Sequence, residues 1–124
     1  MSYRHIKFAH LPVADQERAL AFWRDRLGLE VALDQSYGGG WRWIELSIPG
    51  AQTRLLFTER AADAPKSEQP SLILVVDDVD AEAAALKARG VAFVEEPRAA
   101  PWSPGERYAM FEDSEGNRVL ISSG

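Results

Sequence analysis

Few side chains of this chain are suited to acid–base or metal chemistry. His10 ends a first strand-like segment, Glu45 alternates with apolar residues, and Glu112 precedes a turn. The histidine is suited to act as a general base, to donate a hydrogen bond to a ligand or to ligate a metal. The two carboxylates, if they face one cavity, could exchange protons or hold a cation. The simpler interpretation is that Glu45 pairs with Arg54, that Glu112 pairs with Arg118, and that His10 is structural.

Aromatic side chains are a second group of candidate ligand contacts. In residues 41–48 the aliphatic residues alternate and form one face of a predicted strand, so Trp41 and Trp43 point to the other face. Tyr108 begins a later strand, and Trp102 lies in a proline-rich loop, where an aromatic ring can cover a pocket. These rings are suited to stack on a planar or cationic ligand. Core packing, a subunit interface or a loop anchor would also explain them.

One pattern occurs twice along the chain. Asp15 precedes Gly28 by 13 residues, and Asp77 precedes Gly90 by 13 residues. Each pair encloses a helical pattern that begins at an acidic cap and ends at a glycine. The strand-like run RLLF, which starts at Arg54, returns as RVLI at Arg118.

The segments around these helices alternate as strands. They predict a β-α-β-β-β module over residues 3–60 and a second over 70–124, joined by a polar linker at 61–69. Each half is too short to bury a good core alone, so we expect one α+β domain with its ligand in the space that the modules enclose. The first strand is predicted over residues 3–11, ended by Pro12, and residues 97–105 are predicted as a long loop.

Composition excludes several classes of protein. The 124 residues include no cysteine, which removes disulfides, thiol nucleophiles and zinc–thiolate sites and fits a reducing compartment. The net charge of −5, without a basic block, argues against nucleic-acid binding and fits a cationic or neutral small molecule. No apolar run suggests a signal peptide or a membrane span. We therefore expect a cytoplasmic protein.

The paired modules carry two segments that resemble the vicinal oxygen chelate superfamily, which includes glyoxalase I, bleomycin-resistance proteins and extradiol dioxygenases. These segments are DQERALAFWRDRLGL at residues 15–29 and FEDSEGN at residues 111–117. The resemblance covers essentially the whole chain. It implies a curved, partly closed barrel of mixed sheet with the cavity on the concave side, and a homodimer.

The resemblance also implies where metal ligands would lie. Metal-dependent members place His or Glu on the first, fourth, fifth and eighth strands, and these positions fall here on Phe8, Leu56, Ser71 and Leu120. None of the four offers the imidazole or carboxylate that a divalent metal needs, so we expect neither a metal nor another cofactor. A shift by two residues would bring His10 to the first position without changing the other three.

Three classes of function remain open. The first is metal-independent binding of a mostly apolar or aromatic ligand, for sequestration or sensing. The second is a lyase or isomerase that uses His10 with Glu45 or Glu112, with a metal held by non-family ligands as one variant. The third is an interaction module. The predicted ligand contacts are Phe8, His10, Trp41, Trp43, Leu56, Ser71, Trp102, Tyr108 and Leu120.

Overall fold

Two units of the chain, one ending at Ala64 and the other spanning Pro65–Gly124, each contain one four-stranded sheet. The structure is a computed structural model that describes residues 2–124. The boundary between the units falls within the linker predicted at residues 61–69. No helix in the described range has the length and apolar character needed to cross a membrane.

The elements of each unit follow the β-α-β-β-β order. The first unit contains β1 (Phe8–Val13), α1 (Gln16–Leu20), a π-helical segment (Ala21–Arg26), β2 (Glu30–Ser36), β3 (Arg42–Ser47) and β4 (Arg54–Glu59). The second unit contains β5 (Pro70–Val75), α2 (Val79–Ala88), β6 (Phe93–Ala99), β7 (Arg107–Glu112) and β8 (Arg118–Ser122).

Strand pairing is the same in both units. The orders are β1-β4-β3-β2 and β5-β8-β7-β6. The first pair of each sheet is parallel and the other pairs are antiparallel. The α+β class and the repeated module are therefore confirmed. The partly closed barrel is not, because each ladder of hydrogen bonds is completed within its own module and gives two separate sheets.

A buried layer of aliphatic and aromatic side chains stabilises the first unit. The sheet residues of this layer, each at most 2% exposed, are Leu11, Val13, Ile44, Leu46, Leu55 and Phe57. Asp15 caps α1 as predicted, since its carboxylate accepts a hydrogen bond from the backbone N–H of Arg18 at 3.0 Å. The buried Gln16 side chain fixes this helix to β3: it donates to the carbonyl of Arg42 at 2.6 Å and accepts from its N–H at 3.0 Å.

The sequence pattern did not reveal the π-helical segment. An uninterrupted α-helix was expected up to Gly28, but Leu27 N–H donates to the Phe22 carbonyl, five residues earlier. Phe22 and Trp23 are adjacent in sequence and only 4% and 0% exposed. The two rings meet edge to face, with their centres 5.7 Å apart.

In the second unit, α2 buries Val79, Ala83 and Leu86. Its N-cap is Asp78, whose carboxylate accepts from the N–H of Ala81 at 3.0 Å. The sequence repeat had aligned the cap Asp15 with Asp77. The predicted cap of the second helix was therefore one residue too early.

The other differences between the predicted and the observed strand boundaries involve prolines. β1 begins at Phe8 rather than residue 3 and continues through Pro12, and β6 includes Pro97, which was assigned to a loop. Both are edge strands of their sheets, and an edge position tolerates a residue without an N–H donor. Trp41 lies just before β3, outside the strand predicted for it.

Candidate functional site

One face of the first sheet carries several of the predicted site residues. In the strand register, Phe8 lies opposite Arg54, and His10 lies opposite Leu56. Leu56 in turn lies opposite Glu45 on β3. These side chains have the parity opposite to the buried aliphatic layer. We call this surface the open face, and it comprises Phe8, His10, Trp43, Glu45, Arg54 and Leu56.

Three aromatic rings meet on the open face around Trp43. The Phe8 ring lies 5.9 Å from the Trp43 ring at an interplanar angle of 71°, an edge-to-face arrangement. Tyr37 approaches the same ring at 6.4 Å and 72°. Trp43 remains 37% exposed, so part of its indole is open to a ligand. Sequence reasoning missed Tyr37; the signal was its place directly before the glycine turn 38–40, which returns the chain to β3.

Glu45 is the buried polar group of this face. Its Oε2 accepts from Trp43 Nε1 at 2.8 Å, and its Oε1 accepts from Arg54 Nη1 at 2.8 Å. The predicted pairing of Glu45 with Arg54 is therefore present. Because both carboxylate oxygens are occupied, Glu45 orients an aromatic ring and a guanidinium on the same face.

These partners also set the protonation of Glu45. Burial alone raises the pKa of the Glu45 carboxyl, but the hydrogen bonds from Trp43 and Arg54, with the charges of Arg54 and Lys7, hold it below its ordinary value of 4.5. The group is consequently ionised at neutral pH and weakly basic. This environment favours a structural carboxylate over a general acid or base.

His10 lies apart from Glu45 on the same face. The two residues are on β1 and β3, which flank β4 on opposite sides. Neighbouring strands are about 4.8 Å apart, so the two backbones are roughly 10 Å apart, and the hydrogen bonds of the Glu45 carboxylate go to Trp43 and Arg54. His10 is exposed and pairs in register with Leu56, whereas Phe8, which the resemblance places at the first-strand ligand position, pairs with Arg54.

The second unit groups Tyr108 and Leu120 in a buried cluster with Ala100. Trp102, on the loop after β6, is 55% exposed and lies 4.6 Å from the Tyr108 ring. A hydrogen bond to Glu95, together with burial, raises the pKa of the Tyr108 hydroxyl. Tyr108 therefore has protein contacts around both its ring and its hydroxyl.

The remaining candidates are more dispersed. Ser71 is exposed and lies where the β5–β8 register shifts between Pro70 and Leu72. Glu112 is half-buried and pairs with Arg118 at 3.7 Å, the second ion pair predicted from the sequence. Trp41 is half-buried before β3.

The residues at the four positions where metal-dependent members of the family place their ligands do not fit a divalent metal. Leu56 and Leu120 offer no donor atom, and His10 beside Leu56 would be a single imidazole. Within residues 2–124, no group of three or more His, Cys, Asp or Glu side chains is arranged to hold a metal ion. Metal sites of this kind need three or four such ligands, which the residues at these positions do not supply.

Comparison with known proteins assigns the fold to one superfamily. The sequence profile of the glyoxalase/bleomycin resistance protein/dioxygenase superfamily matches residues 4–121. TnmS3, an antibiotic-binding protein from Streptomyces sp. CB03234, is 36% identical, with 98% of this chain and 96% of that chain covered and a TM-score of 0.81. A superfamily member from Sphaerobacter thermophilus DSM 20745 is 30% identical, with 97% of each chain covered and a TM-score of 0.82. The uncharacterized protein YurT of Bacillus subtilis (strain 168) is 33% identical over 120 residues, 88% of this chain and 91% of its own length.

Proposed function

Since the chain belongs to the glyoxalase/bleomycin resistance protein/dioxygenase superfamily, we propose that it binds a small, mostly aromatic molecule without a metal ion, to sequester or sense it. The observation that carries this proposal is the half-open Trp43 ring on the open face, flanked by Phe8 and Tyr37. Small-molecule sites combine apolar walls with a few oriented polar groups, and this face does so. The similarity to TnmS3, which is an antibiotic-binding protein, supports a small-molecule ligand.

The enzymatic alternative depends on His10. Its exposed imidazole lies on the same face as Trp43, so a ligand there could meet a general base. Glu45 does not assist, because its lowered pKa and its two partners favour a fixed anion. Glu112 belongs to the second unit, where it pairs with Arg118. These features favour binding over proton transfer.

Titration with three naphthalene probes tests the proposed function. The probes are naphthalene-2-carboxylate, 2-naphthylmethanol and 2-naphthylmethylammonium, and the readout is tryptophan fluorescence with calorimetry. We expect saturable binding of at least one probe, equal in chelator-treated and zinc-exposed protein, with the probe recovered unchanged. Binding that requires stoichiometric metal, or conversion of the probe, would contradict the proposal in favour of an enzyme. Failure of all three probes to bind would reject it.

We also propose a homodimer. β5 is an edge strand, and its Ile73 and Val75 side chains are 64% and 71% exposed, which a second copy of the chain would cover. Sedimentation at micromolar concentration should therefore give twice the 13.8 kDa of one chain. Sedimentation only as a species of 13.8 kDa would contradict the dimer. If the dimer forms through β5, Ile73→Lys should shift its sedimentation towards the mass of a single chain.

A further inference from the structure

Arg54 is the cation best placed to meet a ligand on the open face. Its side chain is 47% exposed, and Nη1 donates to Glu45 at 2.8 Å. A guanidinium carries five N–H donors in one plane, so the interaction with Glu45 uses only part of its capacity. About half of this side chain is accessible to solvent, and Arg54 lies opposite Phe8 in the strand register.

Glu45 does not present a matching negative charge. Its side chain is only 8% exposed, and its two oxygens are occupied by Trp43 and Arg54. A ligand approaching the open face therefore meets the guanidinium and the indole rather than the carboxylate. Another carboxylate of this sheet, Glu30, pairs in register with Ser47, four residues or about 13 Å along β3 from Trp43.

A second basic group lies next to Phe8. The Lys7 ammonium is 5.2 Å from the centre of the Phe8 ring. The segment before β1 also lines a shallow groove of about 480 Å³ with Tyr3, Arg4, His5 and Lys7. Basic side chains thus accumulate at the Phe8 end of the open face, although the chain carries a net charge of −5.

We propose that the open face selects planar aromatic molecules that carry an anionic oxygen, with the ring against Trp43 and the oxygen accepting hydrogen bonds from Arg54. This inference depends on the proposed function, because it names the ligand class of that site. The charges near the open face, and not the net charge of the chain, set the preferred charge of the ligand. Solvent screens charges beyond about 8 to 10 Å, whereas a ligand on this face contacts Arg54 directly. Composition led us to expect a cationic or neutral ligand, and the proposal changes that expectation to an anionic one.

The three naphthalene probes test the preference for charge because they share one ring system. In low salt, we expect the carboxylate to bind about tenfold more tightly than the alcohol, and the ammonium more weakly than both, since a charge-assisted hydrogen bond is partly screened at a half-exposed site. Arg54→Gln should reduce the advantage of the carboxylate to about twofold or less, because the neutral amide removes the charge assistance. Arg54→Lys should restore part of it. Arg24→Gln is the matched control, since Arg24 is 46% exposed and also has one carboxylate partner at 2.8 Å.

The outcomes separate the two proposals. If no probe binds, the proposed function fails and this inference fails with it. If the probes bind with equal affinity, if the ammonium binds best, or if Arg24→Gln matches Arg54→Gln, only the anion preference is overturned. Should Arg54→Gln fail to fold, the wild-type protein decides the question: about 500 mM salt should abolish most of the carboxylate's advantage seen at about 20 mM. An advantage that salt leaves unchanged would contradict the role of Arg54.

Discussion

Trp43→Ala is expected to weaken binding of naphthalene-2-carboxylate by about 1 to 3 kcal/mol, or roughly 5- to 150-fold. The indole is a partly exposed ring of the open face, and it is held by the hydrogen bond to Glu45 and by contacts with the rings of Phe8 and Tyr37. Fluorescence cannot be compared across this change, so calorimetry is the appropriate measurement.

Trp43→Phe is the graded control for this prediction. It keeps an aromatic ring but loses the hydrogen bond to Glu45, so an intermediate loss of affinity is expected. If Trp43→Ala folds normally and binds the probe as tightly as the parent, the ligand lies elsewhere and the tryptophan serves packing or an interface.

Glu45→Ala is expected to lower the free energy of unfolding by about 1.5 to 3 kcal/mol at pH 7. The change removes the acceptor of two hydrogen bonds and leaves Trp43 Nε1 and Arg54 without their partner. Glu17→Ala is the matched control, because Glu17 also pairs with an arginine but is 70% exposed, and surface pairs contribute about 0 to 1 kcal/mol. Urea denaturation measures both variants, and equal losses would contradict the role of Glu45.

The contribution of Glu45 should also depend on pH. The pKa of this carboxyl is lower in the folded protein than its ordinary value of 4.5, so the ionised group stabilises the fold above that value. The stabilisation is lost as the pH falls through the folded pKa. The difference in stability between the wild type and Glu45→Gln should therefore be constant near neutral pH and decrease in acid. A difference that grows in acid would contradict the assigned charge state.

Much of the fold could be predicted because short-range signals agree with tertiary structure. The cap at Asp15 is correct, and the strand-like run RVLI that starts at Arg118 lies in β8. The glycine stops at Gly28 and Gly90 both adopt positive φ, as a helix end of this kind requires. These features depend on local backbone chemistry, which sequence expresses directly.

The errors arise where tertiary contacts override local signals. Pro12 was taken to end a strand and Pro97 to begin a loop, but edge strands accept both. The π-helical segment Ala21–Arg26 is not indicated by the apolar period of the sequence, which fits an α-helix equally well. The assignment of the eight strands to two hydrogen-bonded sheets likewise depends on long-range pairing, which the local pattern does not specify.

The candidate site was only partly predictable. Strand parity placed Phe8, His10 and Leu56 on one face, and it suggested the pairing of Glu45 with Arg54. It did not reveal that the Glu45 side chain is buried and the Arg54 side chain half-exposed, which is the difference on which the proposed preference for an anion rests. Net charge averages over the whole surface and gave the opposite expectation.

The most direct test of ligand binding on the open face is the indole N–H spectrum of the protein during titration with naphthalene-2-carboxylate. The four tryptophans give four indole signals, and Trp43→Phe identifies one of them. We predict that the Trp43 signal shifts saturably, because ligand contact alters an N–H bonded to Glu45, whereas the signal of the fully buried Trp23 stays in place. If calorimetry records binding while the Trp43 signal does not move, the probe binds elsewhere and the proposed site is wrong.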